Sequence, residues 1–455
     1  MKRFAVLFSL LLFVAAMLAG CGGSSTSSMS SNNQGAVFVT GEDAPLASVL
    51  AFNITLNSIT LNNSSGSVAV LADATTVDFA RLVGLRTPLA FNSVAAGTYT
   101  SATFQLSNPV ISYLNIGTNP PTTSTVNGTL TTSTVTVSFP APMVVSANGL
   151  AGLHMEFNLR QSLAVDGSGQ ITGSVDPHIK VQAVLASDEG GRITDLSGGL
   201  QSVNVSGNSF VIQRFDGRQI TIDAGNQTRF NGSWGLGNLA TPAFIAVEGT
   251  MQADGSVLAD NVEVISTTHA FVSGRILAVN PATGPVQTIT LFVGEELPAI
   301  ASIPNDSVVT IDVSSVTNYD VCFFDNWFTS ILFNNTELVV GQRVFVGGDY
   351  DGTTFSPELI SLRRQGVVGA LVQNSVQVTS GNRGDFGLQN SNLLGYVLGG
   401  ALTVQTGDGT NFVDINGLAG LESAGSTNLA VGGLILKDQN TGNPQLWAHT
   451  VVVQQ

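Results

Sequence analysis

Short runs of alternating or continuous apolar residues recur along the whole chain, each closed off by Gly, Asn, Asp or Pro. Examples are GAVFVTG at 35–41, FNITLNSITLN at 52–62, YTSATFQL at 99–106, STVTVSF at 133–139, QITIDA at 219–224, SVVTIDV at 307–313 and HTVVVQ at 449–454. Apolar residues at every second position put one face of an extended segment on a core and leave the other in water. With a turn signal every ~8–12 residues, the pattern predicts an all-β protein. In NITLNSITL the apolar phase slips between Leu56 and Ile59, which predicts a bulge near Asn57–Ser58.

From residue 188 the chain passes three times through one template. Each copy opens on a Gly-led strand, at Gly198, Gly274 and Gly369. Each then reaches Thr-x-aromatic, at Thr228–Phe230, Thr317–Tyr319 and Thr410–Phe412. Each continues to an apolar strand ending in Gly, at Gly249, Gly348 and Gly433, and then to a turn and a final strand. Each copy is long enough to hold its own small core. The expected architecture is therefore a β-sandwich-like domain at 35–187, followed by three small tandem β-barrel-like domains at 188–266, 267–365 and 366–455.

The Thr-to-Gly spacing is 21, 31 and 23 residues, so the second copy carries an insertion. It contains CFFDNWFTSILF at 322–333, whose apolar pairs repeat every four residues, which is helical periodicity. Two roles follow for this amphipathic segment. It could cap the open end of its barrel, or it could present Phe323, Phe324, Trp327, Phe328 and Phe333 as an interaction patch.

The first 20 residues form a secretory leader: Lys2 and Arg3, then an apolar run from Phe4 to Leu18. The run is too short for the ~20 residues of a spanning helix. Leu18-Ala19-Gly20-Cys21 resembles a bacterial lipobox, in which cleavage falls before the cysteine and its sulfur takes a diacylglycerol. Acyl chains of palmitate type contribute ~0.8 kcal/mol per buried methylene, so Cys21 is expected to hold the chain on a membrane. Gly22 in place of Asp favours the outer membrane by the usual sorting rule. Residues 21–34 read as a flexible tether with a reach of ~20 Å. Cys322 is then the one remaining thiol and is expected to be buried and inert, since no intramolecular disulfide can form.

Charge excludes more than it identifies. There are 16 Lys and Arg against 31 Asp and Glu, and only 10 % of residues are charged. Phosphate neutralisation needs clustered cations, so no nucleic-acid partner is expected. His154, His178, His269 and His449 lie in four separate regions, and no G-x-S-x-G or H-E-x-x-H stretch is present. GLGNLA at 235–240 matches a dinucleotide fingerprint without its strand-turn-helix context. No cofactor, metal or catalytic residue is expected. Asp254-Gly255 and Asp351-Gly352 fall at the same point of the repeat, between two strands, where the third copy has Thr441-Gly442; this is hairpin chemistry rather than a calcium loop. Glu42 and Asp43 are expected to sit solvated in the loop after the first strand.

Residues 35–187 resemble the N-terminal domain of bacterial lipoproteins known as the domain of unknown function numbered 4382. The resemblance is carried by GEDAPLASVLAFNITLNSITLN, VDFARLVG, VAAGTYTSATFQLSNP, LHMEFNLRQSL and VDPHIKV. The tandem copies look like a second uncharacterised family that follows it in acidobacterial-type proteins. These resemblances imply β domains on the cell envelope and bring no catalytic residue. The resulting expectation is a lipid-anchored, non-enzymatic envelope protein of binding or structural type, acting in adhesion or as a scaffold toward an envelope protein or glycan. The alternative is a periplasmic carrier of a small molecule or lipid, with the aromatic insertion as its lid. One outcome is directly measurable: calcium should leave the melting temperature of residues 35–455 unchanged, and a rise of several degrees would overturn the hairpin reading of the Asp-Gly pairs.

Overall fold

A computed structural model describes residues 33–454 apart from 45, 47, 72, 116–121, 323–331, 391–392, 414, 424 and 426. The chain is all-β and is built from several sheets and small barrels. Among the described residues no helix is long and apolar enough to cross a membrane.

The first part is two facing sheets with a small third one. Strand Gln34–Ala44 lies inside one sheet, parallel to Leu150–Asn158 and antiparallel to Thr87–Ala95, with Ile179–Val184 outermost. The facing sheet is built on the long pair Val49–Asn63 and Gly97–Asn115. Their register shifts between Leu56 and Ser58, and Asn57 turns outward to Ser107 at 2.9 Å, so the expected bulge is present. Val37, Val39, Phe52, Phe79, Leu153 and Phe157 fill the space between the sheets. The rings of Phe52 and Phe79 lie 5.2 and 5.1 Å from that of Phe157.

Residues 192–266 close a five-stranded barrel. Residues 270–363 form a six-stranded sheet whose two outer strands, Val308–Asp312 and Asn318–Val321, do not pair with each other. In residues 365–454 the pairing of Ala370–Leu371 with Leu388–Gln389 completes a ring of strands. The repeated glycines have a common cause. A Cβ at Gly198, Gly274 or Gly369 would strike the carbonyl oxygen of Gln213, Phe292 or Gln389 on the next strand; one at Gly249, Gly348 or Gly433 would strike that of Leu258, Ser356 or Trp447. The three closing glycines all sit at a register shift, where the strand bends to follow the barrel wall. The Thr-x-aromatic anchors run parallel to the final strand of each copy, as Phe230 beside Val262, Tyr319 beside Ile360 and Phe412 beside Val451.

The cores are continuous between neighbouring parts. Phe244 of the barrel stacks on Phe271 at 4.3 Å, and Leu434 and Leu436 join the same cluster from the last unit. Buried charges complete the junctions. Arg81 is paired with Asp195 and with Glu295, and Arg343 reaches Asp195 at 3.3 Å. Arg363 meets Glu263 at 2.8 Å, and Arg364 meets Glu248 at 3.1 Å. Burial pushes the Asp195 carboxyl up, but the guanidiniums of Arg81, Arg343 and Arg214 outweigh it and hold the group below its ordinary value.

Glu263 is 0 % exposed and Arg363 6 %, and the Arg363 guanidinium also lies over the Phe345 ring at 4.9 Å. Breaking one partner of such a pair strands a buried charge. Arg363→Ala should therefore lower stability by about 3–5 kcal/mol in urea unfolding. The Glu263→Leu/Arg363→Met double variant should lose clearly less than the single one. A single-variant loss below ~1 kcal/mol would mean that water reaches the pair.

Candidate functional site

The parallel pairing of Gln34–Ala44 with Leu150–Asn158 runs to its last residue, Ala44 opposite Asn158, and Asp43 adds a bridge to Val83. The strand therefore extends past Gly41. Glu42 and Asp43, expected in a solvated loop, are strand residues, and Asp43 is 4 % exposed. Long-range pairing decides this, because nothing local in GEDA favours an extended strand.

Both acids line a cleft of about 720 Å³. One wall comes from the first domain, with Glu156, Arg160 and Lys180. The other comes from the last unit, with Asn428, Ala430, Val431, Thr450 and Val452. Glu42, Glu156 and Lys180 are register neighbours across three strands, and Lys180 approaches Glu156 to 3.7 Å. Behind Glu42 stands Arg86, 3.5 Å from Glu42 and 2.6 Å from Glu189. His154 lies 3.6 Å from Glu42 on its Nε2 side and 3.2 Å from the Thr40 hydroxyl on its Nδ1 side. Burial, reinforced by Arg86, lowers the imidazole to about 4, so it is neutral at pH 7 and the contact with Glu42 is not an ion pair.

Burial dominates the acids as well. It pushes Glu42 up to about 7; Arg86 offsets part of that, and the neighbouring Glu156 adds to it. Asp43 is pushed well above its ordinary value by burial and by the like charges of Asp78, Glu156 and Glu42. Among the described residues no donor reaches either Asp43 oxygen with full hydrogen-bond geometry, and the Leu159 peptide NH that faces the group offsets only part of the burial. A buried acid so poor in donors, set in a cleft, is where a ligand donor gains most.

A second cleft, also about 720 Å³, lies between the barrel and the six-stranded unit. Trp234, Tyr319, Asn231, Asn318, Asp320 and Glu358 are among its lining residues, and burial raises Asp320 to about 6.

The residues singled out in the sequence fall elsewhere. Cys21, Phe323, Phe324, Trp327 and Phe328 lie outside the described residues. Phe333 is 6 % exposed and packs edge-on against Tyr319 at 5.9 Å; it belongs to the core of its unit rather than to an exposed patch. Its burial follows from chain direction, since Phe333 leads back into the sheet. Cys322 is buried in the same core. The carboxylates of the Asp-Gly pairs are occupied by their own turns: Asp254 accepts from Ser256, and Asp351 from the peptide NH groups of Thr353 and Thr354. Gly255 and Gly352 take φ of 89° and 92°, the conformation those turns require.

Glu42 gives the site a pH signature. Its carboxyl titrates near 4.5 unfolded and near 7 folded, so the folded state binds the extra proton between these values. Stability contributed at this position is thus lost as pH rises from 4.5 to 7. Glu42→Gln should gain on the parent protein across that window by on the order of 2–3 kcal/mol in urea unfolding. A difference that stays flat with pH would mean the group titrates as an ordinary glutamate.

Glu42, Asp43, Glu156 and Arg160 all fall within the segment that the family comparison recognises, whereas Lys180 and the opposite wall lie beyond it. No curated protein matches the chain. Residues 34–172 match the family model described as Domain of unknown function (DUF4382).

Proposed function

We propose that the chain is a lipid-anchored cell-envelope protein of non-enzymatic binding type. In this reading diacylglyceryl-Cys21 holds it on the outer membrane, residues 21–34 form the tether, and the β units beyond it act as one body. The three repeats are read as copies of one further family following the first domain. The observation that carries the binding role is the acidic cleft. Its walls come from the first domain and from the last unit, and a buried Asp43 poor in donors lies along it. Buried ion pairs between units, such as Arg81 with Asp195 and Glu295, favour a fixed frame for that cleft. A lid role for the aromatic insertion has less support, because Cys322 and Phe333 are core, Leu332 alone is exposed, and residues 323–331 lie outside the described residues.

One observation favours a second reading. Glu42 titrates near 7 beside Glu156, which suits acid–base hydrolysis in the same cleft. Release of product from a glycan or peptide panel by the parent protein, and not by Glu42→Gln, would establish it.

Two experiments test the anchor and the location. Cys21→Ser should move the protein from the detergent-extracted membrane fraction to the soluble one, and unchanged membrane retention would overturn the lipid anchor. Protease treatment of intact cells then separates the two faces. Release of large fragments points to surface adhesion, and protection until the outer membrane is permeabilised points to a periplasmic scaffold or carrier.

A further inference from the structure

The acidic cleft is graded in charge from floor to rim. Asp43 is buried, and the Glu42 and Glu156 side chains are only 22 % and 29 % exposed. The two cations that line it, Arg160 and Lys180, are both exposed, Lys180 at 60 %. Among the described residues the wall from the last unit brings no charge; it is made of Asn428, Thr450, Ala430, Gly432 and valines. An acidic floor under a basic rim is complementary to a molecule that is positive at one end and negative at the other.

Other ligand chemistries fit less well. Among the described residues no group of three or more His, Cys, Asp or Glu is arranged to hold a metal ion, so a bare divalent cation lacks its ligand set. Among the described residues no aromatic ring lines this cleft, so they offer a sugar face nothing to stack on. An ammonium needs only two or three oxygen acceptors, and both Asp43 oxygens, withdrawn from water at the floor, lack a side-chain donor among the described residues. A volume of about 720 Å³ accepts a dipeptide-sized molecule.

We propose that this cleft binds an amino acid or short peptide, with a free ammonium seated on Asp43 and a carboxylate held at the rim by Arg160 and Lys180. The assignment rests on the binding reading above and names its ligand. Proton linkage follows from the surroundings of Asp43. Asp78, Glu156 and Glu42 face it with like charge, Arg86 is engaged behind Glu42 by Glu189, His154 is neutral, and Arg160 and Lys180 stand at the rim. These surroundings favour the protonated form of the acid in the empty site. Arrival of an ammonium ionises Asp43, and the proton leaves to solvent. Affinity therefore rises with pH for as long as the ammonium itself stays charged.

The test is calorimetric titration of the mature chain with alanyl-lysine, its Nα,Nε-diacetyl form and its carboxamide, in two buffers of different ionisation enthalpy. Alanyl-lysine should bind saturably with net release of protons. The diacetyl form should lose at least about tenfold in affinity, and the carboxamide should lose less. Asp43→Asn should lose at least about tenfold for alanyl-lysine while leaving the melting temperature equal or higher. If Asp43→Asn does not fold, the exposed-rim double variant Arg160→Ala/Lys180→Ala serves instead. It should weaken alanyl-lysine and leave its carboxamide unchanged. Equal binding of the diacetyl form would sink the ammonium assignment while leaving a binding cleft in place. Absence of saturation by alanyl-lysine at about 10 mM would overturn the assignment outright, whereas the anchor and location are judged separately by the Cys21→Ser and protease experiments.

Discussion

A guanidinium removed from water must meet a carboxylate, and in this protein the two partners mostly belong to different β units. Arg81 of the first domain needs Asp195 and Glu295, Arg363 and Arg364 need Glu263 and Glu248, and Arg86 needs Glu189. Replacing such pairs by apolar residues often costs little, whereas separating them is expensive. Their effect here is therefore selective: sliding or rotating one unit on another would leave several charges buried and unpaired at once. Apolar contacts such as Phe244 on Phe271 supply adhesion without fixing an angle, and the charges fix it.

The acidic cleft follows the same rule with the opposite outcome. At the junction Asp195 is held low against its burial by the guanidiniums of Arg81, Arg343 and Arg214. At the cleft the guanidinium that pairs with Glu42, that of Arg86, is shared with Glu189, Arg160 stands exposed at the rim, and Asp43 has no ion pair among the described residues. Two acids at similar depth are thus shifted in opposite directions because the few cations of the chain are distributed unevenly between them.

Much of the fold was legible in the sequence because a half-buried strand writes its period directly into the chain. The bulge at Asn57 appeared as a phase slip, and the repeat appeared as glycines at fixed points, since no Cβ fits where the strands close on one another. The openness of the second unit was harder to see: its spacing revealed an insertion but not that Val308–Asp312 and Asn318–Val321 would stay apart. The site was the least legible part. Glu42 and Asp43 are strand residues only because of a parallel partner more than a hundred positions away. A usable signal was nevertheless present. In a chain with 10 % charged residues, an acid or arginine flanked by strand-forming residues, as in NVEVIS, QRVFV or SLRRQ, marks a charge that must find a buried partner.

The position of strand Gln34–Ala44 has a mechanical side. It has a paired strand on each flank, nine register positions with Leu150–Asn158 and eight with Thr87–Ala95. Tension applied at Gln34 along the strand axis would load both ladders in shear, so that many hydrogen bonds have to yield together instead of peeling one at a time. A chain pulled from this end is gripped at the middle of a sheet, and the unit that gives way first under load would be another part of the molecule.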